Sequence, residues 1–119
     1  MDVARRDALE PFTTLDGSEI RELARMGNQT LAEATVPPDG ETFEHFHDFE
    51  EIYYFTAGRG RLRLGETEAE VAAGDCVAIP PGAPHKLWAA SDAPLVVLCA
   101  CAPPYSHEGT TMLEGPEAG

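Results

Sequence analysis

The segment His45-Phe46-His47-Asp48-Phe49-Glu50-Glu51 decides how this chain is read. Successive side chains on a strand point to opposite faces, so His45 and His47 point the same way. The chain then runs on through Ile52-Tyr53-Tyr54-Phe55-Thr56, aromatic and β-branched, which is strand composition. On that strand Glu51, Tyr53 and Phe55 share one face and Ile52, Tyr54 and Thr56 the other. Of the neighbours Glu50 and Glu51 only one can face inward, and spacing favours Glu51; Asp48 is expected to point out. A further histidine, His85, follows a turn-rich segment holding Gly74, Pro80 and Gly82. Two histidines on one strand, a carboxylate on the next and a histidine on a later strand can close around one point. Three imidazoles and a carboxylate suit a divalent cation such as zinc, iron, manganese, nickel or cobalt, and the spacing does not choose among them. Gathering these groups inside a protein without a cation is costly, because buried ionisable groups need partners. Four protein donors also leave a five- or six-coordinate ion with an open position, as a catalytic metal requires.

Outward from this segment the pattern stays that of short strands. Residues 29–36 alternate, and Pro37-Pro38-Asp39-Gly40 is a strong turn. Residues 61–64 and 68–72 read as a hairpin across Gly65-Glu66-Thr67. Residues 76–79 form a short buried strand stopped by Pro80-Pro81-Gly82. Residues 85–89 carry His85, Leu87 and Ala89 on one face, with Lys86 and Trp88 on the other. Residues 95–102 are an apolar run ended by Pro103-Pro104. Many short strands with Gly/Pro turns predict an all-β fold, closed or sandwiched. Before the strands, Asp16-Gly17-Ser18-Glu19 has the shape of a helix capping box. Ile20, Leu23 and Ala24 follow at helical spacing and Gly27 would end the helix. The expected organisation is therefore an N-terminal arm and short helix over 1–27, a β-barrel over 28–104, and a C-terminal tail over 105–119. The end of that tail is polar, bears Gly and Pro, and is expected to be disordered.

Two spaced patterns can now be written out: Gly40-x4-His45-x-His47-x3-Glu51-x6-Gly58, and Gly74-x5-Pro80-x-Gly82-x2-His85. They resemble the paired motifs of the cupin superfamily, in its small bacterial single-domain form. That resemblance implies a double-stranded β-helix, a jelly-roll-like barrel, with His45, His47, Glu51 and His85 as ligands of one divalent metal ion (zinc, iron, manganese or nickel). There are two departures. The interval from Gly40 to His45 is one residue shorter than the usual form, and Ala89 stands where the family often has Asn. Neither removes a ligand; the second changes what lies beside the metal. The resemblance also implies dioxygenase, isomerase, decarboxylase or lyase chemistry on a small-molecule metabolite. A narrower similarity, to the cupin modules of bacterial hydrazine synthetases, rests on three stretches. These are Thr14-Leu15-Asp16-Gly17-Ser18, Glu50-Glu51-Ile52-Tyr53-Tyr54 and Cys101-Ala102-Pro103-Pro104-Tyr105-Ser106-His107. It implies nitrogen–nitrogen bond formation.

Within this frame Tyr53 and His107 are the candidate proton-handling residues. Tyr53 shares the face of Glu51, and His107 lies where the tail could fold over the barrel mouth. Cys99 and Cys101 share a strand face and read first as small buried apolar residues; the sharper alternative puts one thiol at the metal, as ligand or redox partner. An outward Trp88 with Phe46, Ile52 and Tyr54 suggests an apolar patch covered by a second subunit, and the resemblance likewise implies a homodimer.

The net charge of −13 and pI near 4.4 argue against nucleic acid and anionic membrane as partners. No apolar run approaches the roughly 20 residues needed to span a bilayer. The opening Met1-Asp2-Val3-Ala4-Arg5-Arg6-Asp7 lacks the apolar region of a signal peptide. Three cysteines, an odd number, suit reduced thiols in a cytoplasmic protein. The expected function is thus a metal-dependent enzyme. A non-catalytic metal-bearing binding or partner module is the alternative, and a storage barrel ranks third.

Overall fold

The alternation read from the sequence becomes two antiparallel sheets in the computed structural model, which describes residues 1–119. The strands are β1 (Phe12–Thr13), β2 (Glu19–Arg25), β3 (Thr30–Val36), β4 (His45–His47), β5 (Glu50–Ala57), β6 (Arg59–Leu64), β7 (Thr67–Ala72), β8 (Cys76–Ile79), β9 (His85–Ala89), β10 (Leu95–Ala102) and β11 (Thr110–Met112). One sheet has the order β1-β2-β3-β10-β5-β8 and the other β11-β4-β9-β6-β7. The chain is all-β with the jelly-roll-like architecture of a cupin barrel. No helix is long and apolar enough to cross a membrane.

The inward side chains grade from apolar to polar along three adjoining strands. In register across β3, β10 and β5 lie Val36 and Leu95, then Ala34, Val97 and Phe55, then Ala32, Cys99 and Tyr53, then Thr30, Cys101 and Glu51. Phe55, Leu95 and Val97 are fully buried, so one end of the barrel is a packed plug. The other end carries the polar groups and stays open as a cavity. Chain reversals around the plug are tight. Gly58 has φ +79°, and a Cβ there would lie 2.1 Å from the Pro94 carbonyl oxygen, so only glycine fits.

The short helix expected over 16–27 is absent; that stretch is strand β2, and the only helical element is a single 3-10 turn at Arg6–Ala8. The capping-box reading fails for a local reason. Asp16 accepts hydrogen bonds from the hydroxyls of Thr14 and Ser18 and from the Ser18 backbone N–H, closing the β1–β2 turn around Gly17 at φ +88°. β2 then pairs with β3, with Ile20 opposite Ala34 and Glu22 opposite Ala32, and a bulge before Ala24. Covering the β3 edge satisfies its backbone groups, and a helix would not do so.

The tail from Tyr105 folds back over the second sheet. β11 pairs with β4, and Met112 is buried. The Glu114 carboxylate accepts from the Glu44 backbone N–H at 2.8 Å and from the Lys86 ammonium at 2.5 Å. The expected single patch of Phe46, Trp88, Ile52 and Tyr54 is divided. Phe46 and Trp88 belong to the five-stranded sheet, Ile52 and Tyr54 to the six-stranded one. Trp88 is covered by the Arg61 guanidinium, 4.2 Å from its ring centre. On the outer face of the six-stranded sheet Leu31, Ile52 and Tyr54 remain exposed.

Candidate metal centre

His45 and His47 stand on β4 and point inward, with the intervening Phe46 turned out. Pairing of β4 with β9 sets His45 directly opposite His85. Glu51 comes from β5, in the opposite sheet. All four side chains are buried at 5% exposure or less. The three imidazoles each offer a ring nitrogen, and these atoms lie within 4.8 Å of one another. Glu51 Oε1 lies 3.4 Å from His47 Nε2 and 3.4 Å from His85 Nε2.

The hydrogen bonds at the outer side of each ring decide its tautomer. His45 Nδ1 faces the Phe43 carbonyl at 2.8 Å, and His85 Nδ1 faces the Ala83 carbonyl at 3.0 Å. A carbonyl only accepts, so both Nδ1 atoms carry the proton. His47 Nδ1 lies 2.8 Å from the Thr110 hydroxyl, which itself donates to the Ser106 carbonyl. Thr110 is therefore the acceptor for His47 Nδ1–H. All three Nε2 lone pairs face inward, as metal-binding imidazoles are held.

Burial pushes His45 down to about 4, and the nearby His85 adds to this, so the His45 ring stays neutral near pH 7. Burial works against ionisation of the Glu51 carboxyl, and since His47 and His85 turn lone pairs to it, a cation is what would keep it ionised. The centre is then a carboxylate and three imidazole lone pairs facing one point. Glu51 Oε1 and His85 Nε2 are buried and have no hydrogen-bond partner. Orphaned buried acceptors are costly, and a cation satisfies both at once. The two Glu51 separations of 3.4 Å suit donors that share one ion at about 2.1 Å each. The residues therefore fit a divalent metal ion.

Neighbours hold these donors in place. Cys101 lies opposite Glu51 in register, and its thiol donates to Glu51 Oε2 at 3.4 Å, leaving Oε1 turned to the centre. Burial and the Glu51 charge push the Cys101 thiol well up, and burial does the same to Cys99. Both stay protonated in the metal-free chain, and the Cys101 thiol is engaged by Glu51. The Phe49 ring stacks on His47, with centroids 4.4 Å apart.

A narrow cavity of about 50 Å³ opens from the centre between the sheets. Tyr53 lines it, with its ring edge-on to His85. Burial raises the Tyr53 phenol, so it can donate a hydrogen bond and does not act as a base near neutral pH. His107 is exposed at the rim, with Nδ1 3.0 Å from the Tyr105 hydroxyl. Tyr105 lines the cavity, and its phenol is pushed up to about 12, chiefly by burial. Three contributors escape the sequence patterns: Asp16, Thr110 and the Cys101–Glu51 contact. Asp16 lines the cavity with Oδ2 3.9 Å from His45 Nε2. The run of hydroxyls in Thr14-x-Asp16-x-Ser18 was a usable signal for a carboxylate held in a turn.

Comparison with known proteins agrees with the geometry. A family model described as the cupin domain matches residues 32–101. An uncharacterised protein of the archaeon Methanocaldococcus jannaschii is 46% identical over 91% of each chain. Among solved structures, the polyketide cyclase RemF of Streptomyces resistomycificus superposes with a TM-score of 0.78 at 25% identity, covering 86% of this chain and 79% of the other. The nucleoside dehydratase Pac13 of Streptomyces has a TM-score of 0.79 at 16% identity, over 94% and 90% of the two chains. A predicted oxalate decarboxylase of Thermotoga maritima has 0.75 at 21%, over 85% and 98%. With its two-sheet barrel, inward histidines and matching family model, this chain belongs to the cupin family.

Proposed function

We propose that the chain is a metal-dependent enzyme acting on a small-molecule metabolite. Its centre is one divalent ion (zinc, iron, manganese or nickel) held by His45, His47, His85 and Glu51. The observation that carries this is the pair of orphaned buried acceptors, Glu51 Oε1 and His85 Nε2, facing the same point. When bound, the ion supplies Lewis acidity toward an oxygen or nitrogen of the substrate, or redox chemistry if it is iron. The protein's part follows from its own side chains. The plug of Phe55, Leu95 and Val97 closes one end, so substrate enters only from the cavity side. Tyr53 donates a hydrogen bond to an oxygen bearing developing charge. His107 reaches the cavity through the Tyr105 hydroxyl and exchanges the proton with solvent.

Cupin-fold relatives named as a cyclase and a nucleoside dehydratase support an enzyme reading. Isomerisation, dioxygenation and Lewis-acid rearrangement fit the same site. So does nitrogen–nitrogen bond formation, as the resemblance to hydrazine synthetases implies. The three free thiols suit a reducing, cytoplasmic setting. The apolar outer face bearing Leu31, Ile52 and Tyr54 suits a homodimer. The test is elemental analysis of protein purified without added metal, followed by turnover against a metabolite panel beside Glu51→Ala. About one metal per chain, with activity lost in the variant, is expected. Metal-free protein that does not take up zinc, iron, manganese or nickel counts against the reading. A metal-bearing, non-catalytic binding module is the second reading, favoured by the exposed position of His107 outside the cavity wall.

A further inference from the structure

Asp16 places a carboxylate in the cavity that the metal centre does not account for. Its Oδ1 takes three hydrogen bonds, from Thr14 Oγ1 at 2.6 Å, Ser18 Oγ at 2.6 Å and Ser18 N at 2.9 Å. Ser18 is itself buried, so this cage is rigid. No hydrogen bond within the protein uses Oδ2, which points across the cavity to His45 Nε2 at 3.9 Å. That nitrogen presents a lone pair, because its ring proton lies on the Phe43 carbonyl. Two acceptors therefore face each other across a gap. The metal claims the His45 lone pair, and what meets Asp16 Oδ2 beside it must offer a proton or a positive charge.

The rest of the lining sharpens this. Asp16, Glu22 and Glu51 line the cavity, and no lysine or arginine does. Arg25, the partner of the cavity-lining Glu22 at 2.9 Å, also donates to the Tyr105 carbonyl at 3.0 Å. Beside the metal, an anionic group meets the unpaired Asp16 carboxylate with no fork of protein donors to receive it, whereas a hydroxyl or ammonium meets an acceptor.

Resting on the metal-dependent reading above, we propose that Asp16 is the specificity-determining residue of the cavity. Its free Oδ2 accepts a hydrogen bond from a hydroxyl or ammonium group of the substrate beside the metal. The substrate class is therefore neutral or cationic, an alcohol, polyol or amine, and not a dicarboxylate or phosphate ester.

The test uses cobalt(II)-loaded full-length protein, whose visible absorption reports what approaches the metal, titrated separately with ethanolamine and with oxalate. Wild type is expected to bind ethanolamine more tightly than oxalate. Asp16→Asn is expected to shift that preference toward oxalate by on the order of tenfold or more, because a like-charge repulsion is removed. Its cobalt content should stay unchanged. Equal preference in the two proteins overturns the proposal. So does tighter binding of oxalate by wild type, which needs no variant and decides the matter even if Asp16→Asn fails to fold. A wild-type chain that shows no cobalt absorption before any probe is added overturns the metal reading first, and this one with it.

Discussion

Glu51 Oε1 and His85 Nε2 face each other at 3.4 Å from opposite sheets of the barrel, and neither has a hydrogen-bond partner. A cation between them would tie the two sheets together through β5, β4 and β9. Metal binding and barrel stability are then one property, because donors that meet only in the folded chain return binding energy as folding energy.

Removing the ion should therefore soften the whole molecule. At a free-metal concentration about 100 times its Kd, bound metal adds about 2.7 kcal/mol. For a chain of this size that is roughly 10 °C in Tm. Calorimetry before and after chelation measures it, and His47→Ala should show the lower value with or without metal. Superimposable melting curves for wild type with and without chelator would speak against the link.

Cys101 should act by holding Glu51, not by binding metal. Cys101→Ser keeps a donor for Glu51 Oε2, whereas Cys101→Ala removes it. Loss of such a supporting contact typically weakens metal binding by about 10- to 100-fold. Competition against a chromophoric chelator should place the alanine variant in that range and the serine variant close to wild type. Identical affinities for all three proteins would remove Cys101 from the site.

Thr110 ties the folded-back tail to the centre, because its hydroxyl accepts from His47 Nδ1–H and donates to the Ser106 carbonyl. Thr110→Val leaves a buried N–H unpaired, at a cost of about 1–3 kcal/mol. The expected result is a lower denaturant midpoint together with weaker metal binding. Thr110→Ser should recover both, since it restores the hydroxyl.

Acid should destabilise the metal-free protein in a defined window. His45 titrates near 6.5 when unfolded and is held at about 4 when folded, chiefly by burial. Between those values the unfolded chain takes up a proton that the folded chain refuses. Stability present above pH 6.5 is thus lost as pH falls toward 4. Urea unfolding of chelator-treated protein across pH 4 to 7 reads the loss, and His45→Gln should flatten it. A level profile in wild type would contradict the burial argument.

The outer face of the six-stranded sheet should carry self-association. A charge placed among exposed apolar groups, as in Ile52→Lys or Tyr54→Glu, should shift the species seen by light scattering from dimer to monomer while leaving metal content intact. Wild type that runs as a monomer at micromolar concentration would end this reading.

Much of the centre was legible in the chain itself. Alternation at a period of two placed His45, His47, Glu51 and Tyr53 inward without reference to any partner strand, because facing is a local property of a strand. The same local rule failed at Asp16. Its side chain can cap a helix or close a turn, and the choice went to the turn only because β3 offered β2 an edge to pair with. It could not have found Thr110, nor the pairing of Cys101 with Glu51. They reach His47 and Glu51 across 63 and 50 residues of chain, and no period in the sequence spans such distances.

What the sequence determined alone was which donors exist, which way each strand turns them, and that together they suit one divalent ion. The tertiary structure decided how far apart those donors stand, which ring nitrogen of each histidine is free, and that an N-terminal carboxylate shares the cavity. Those are properties of strand register and of packing between sheets, and they arise only when segments distant in the chain are brought into contact.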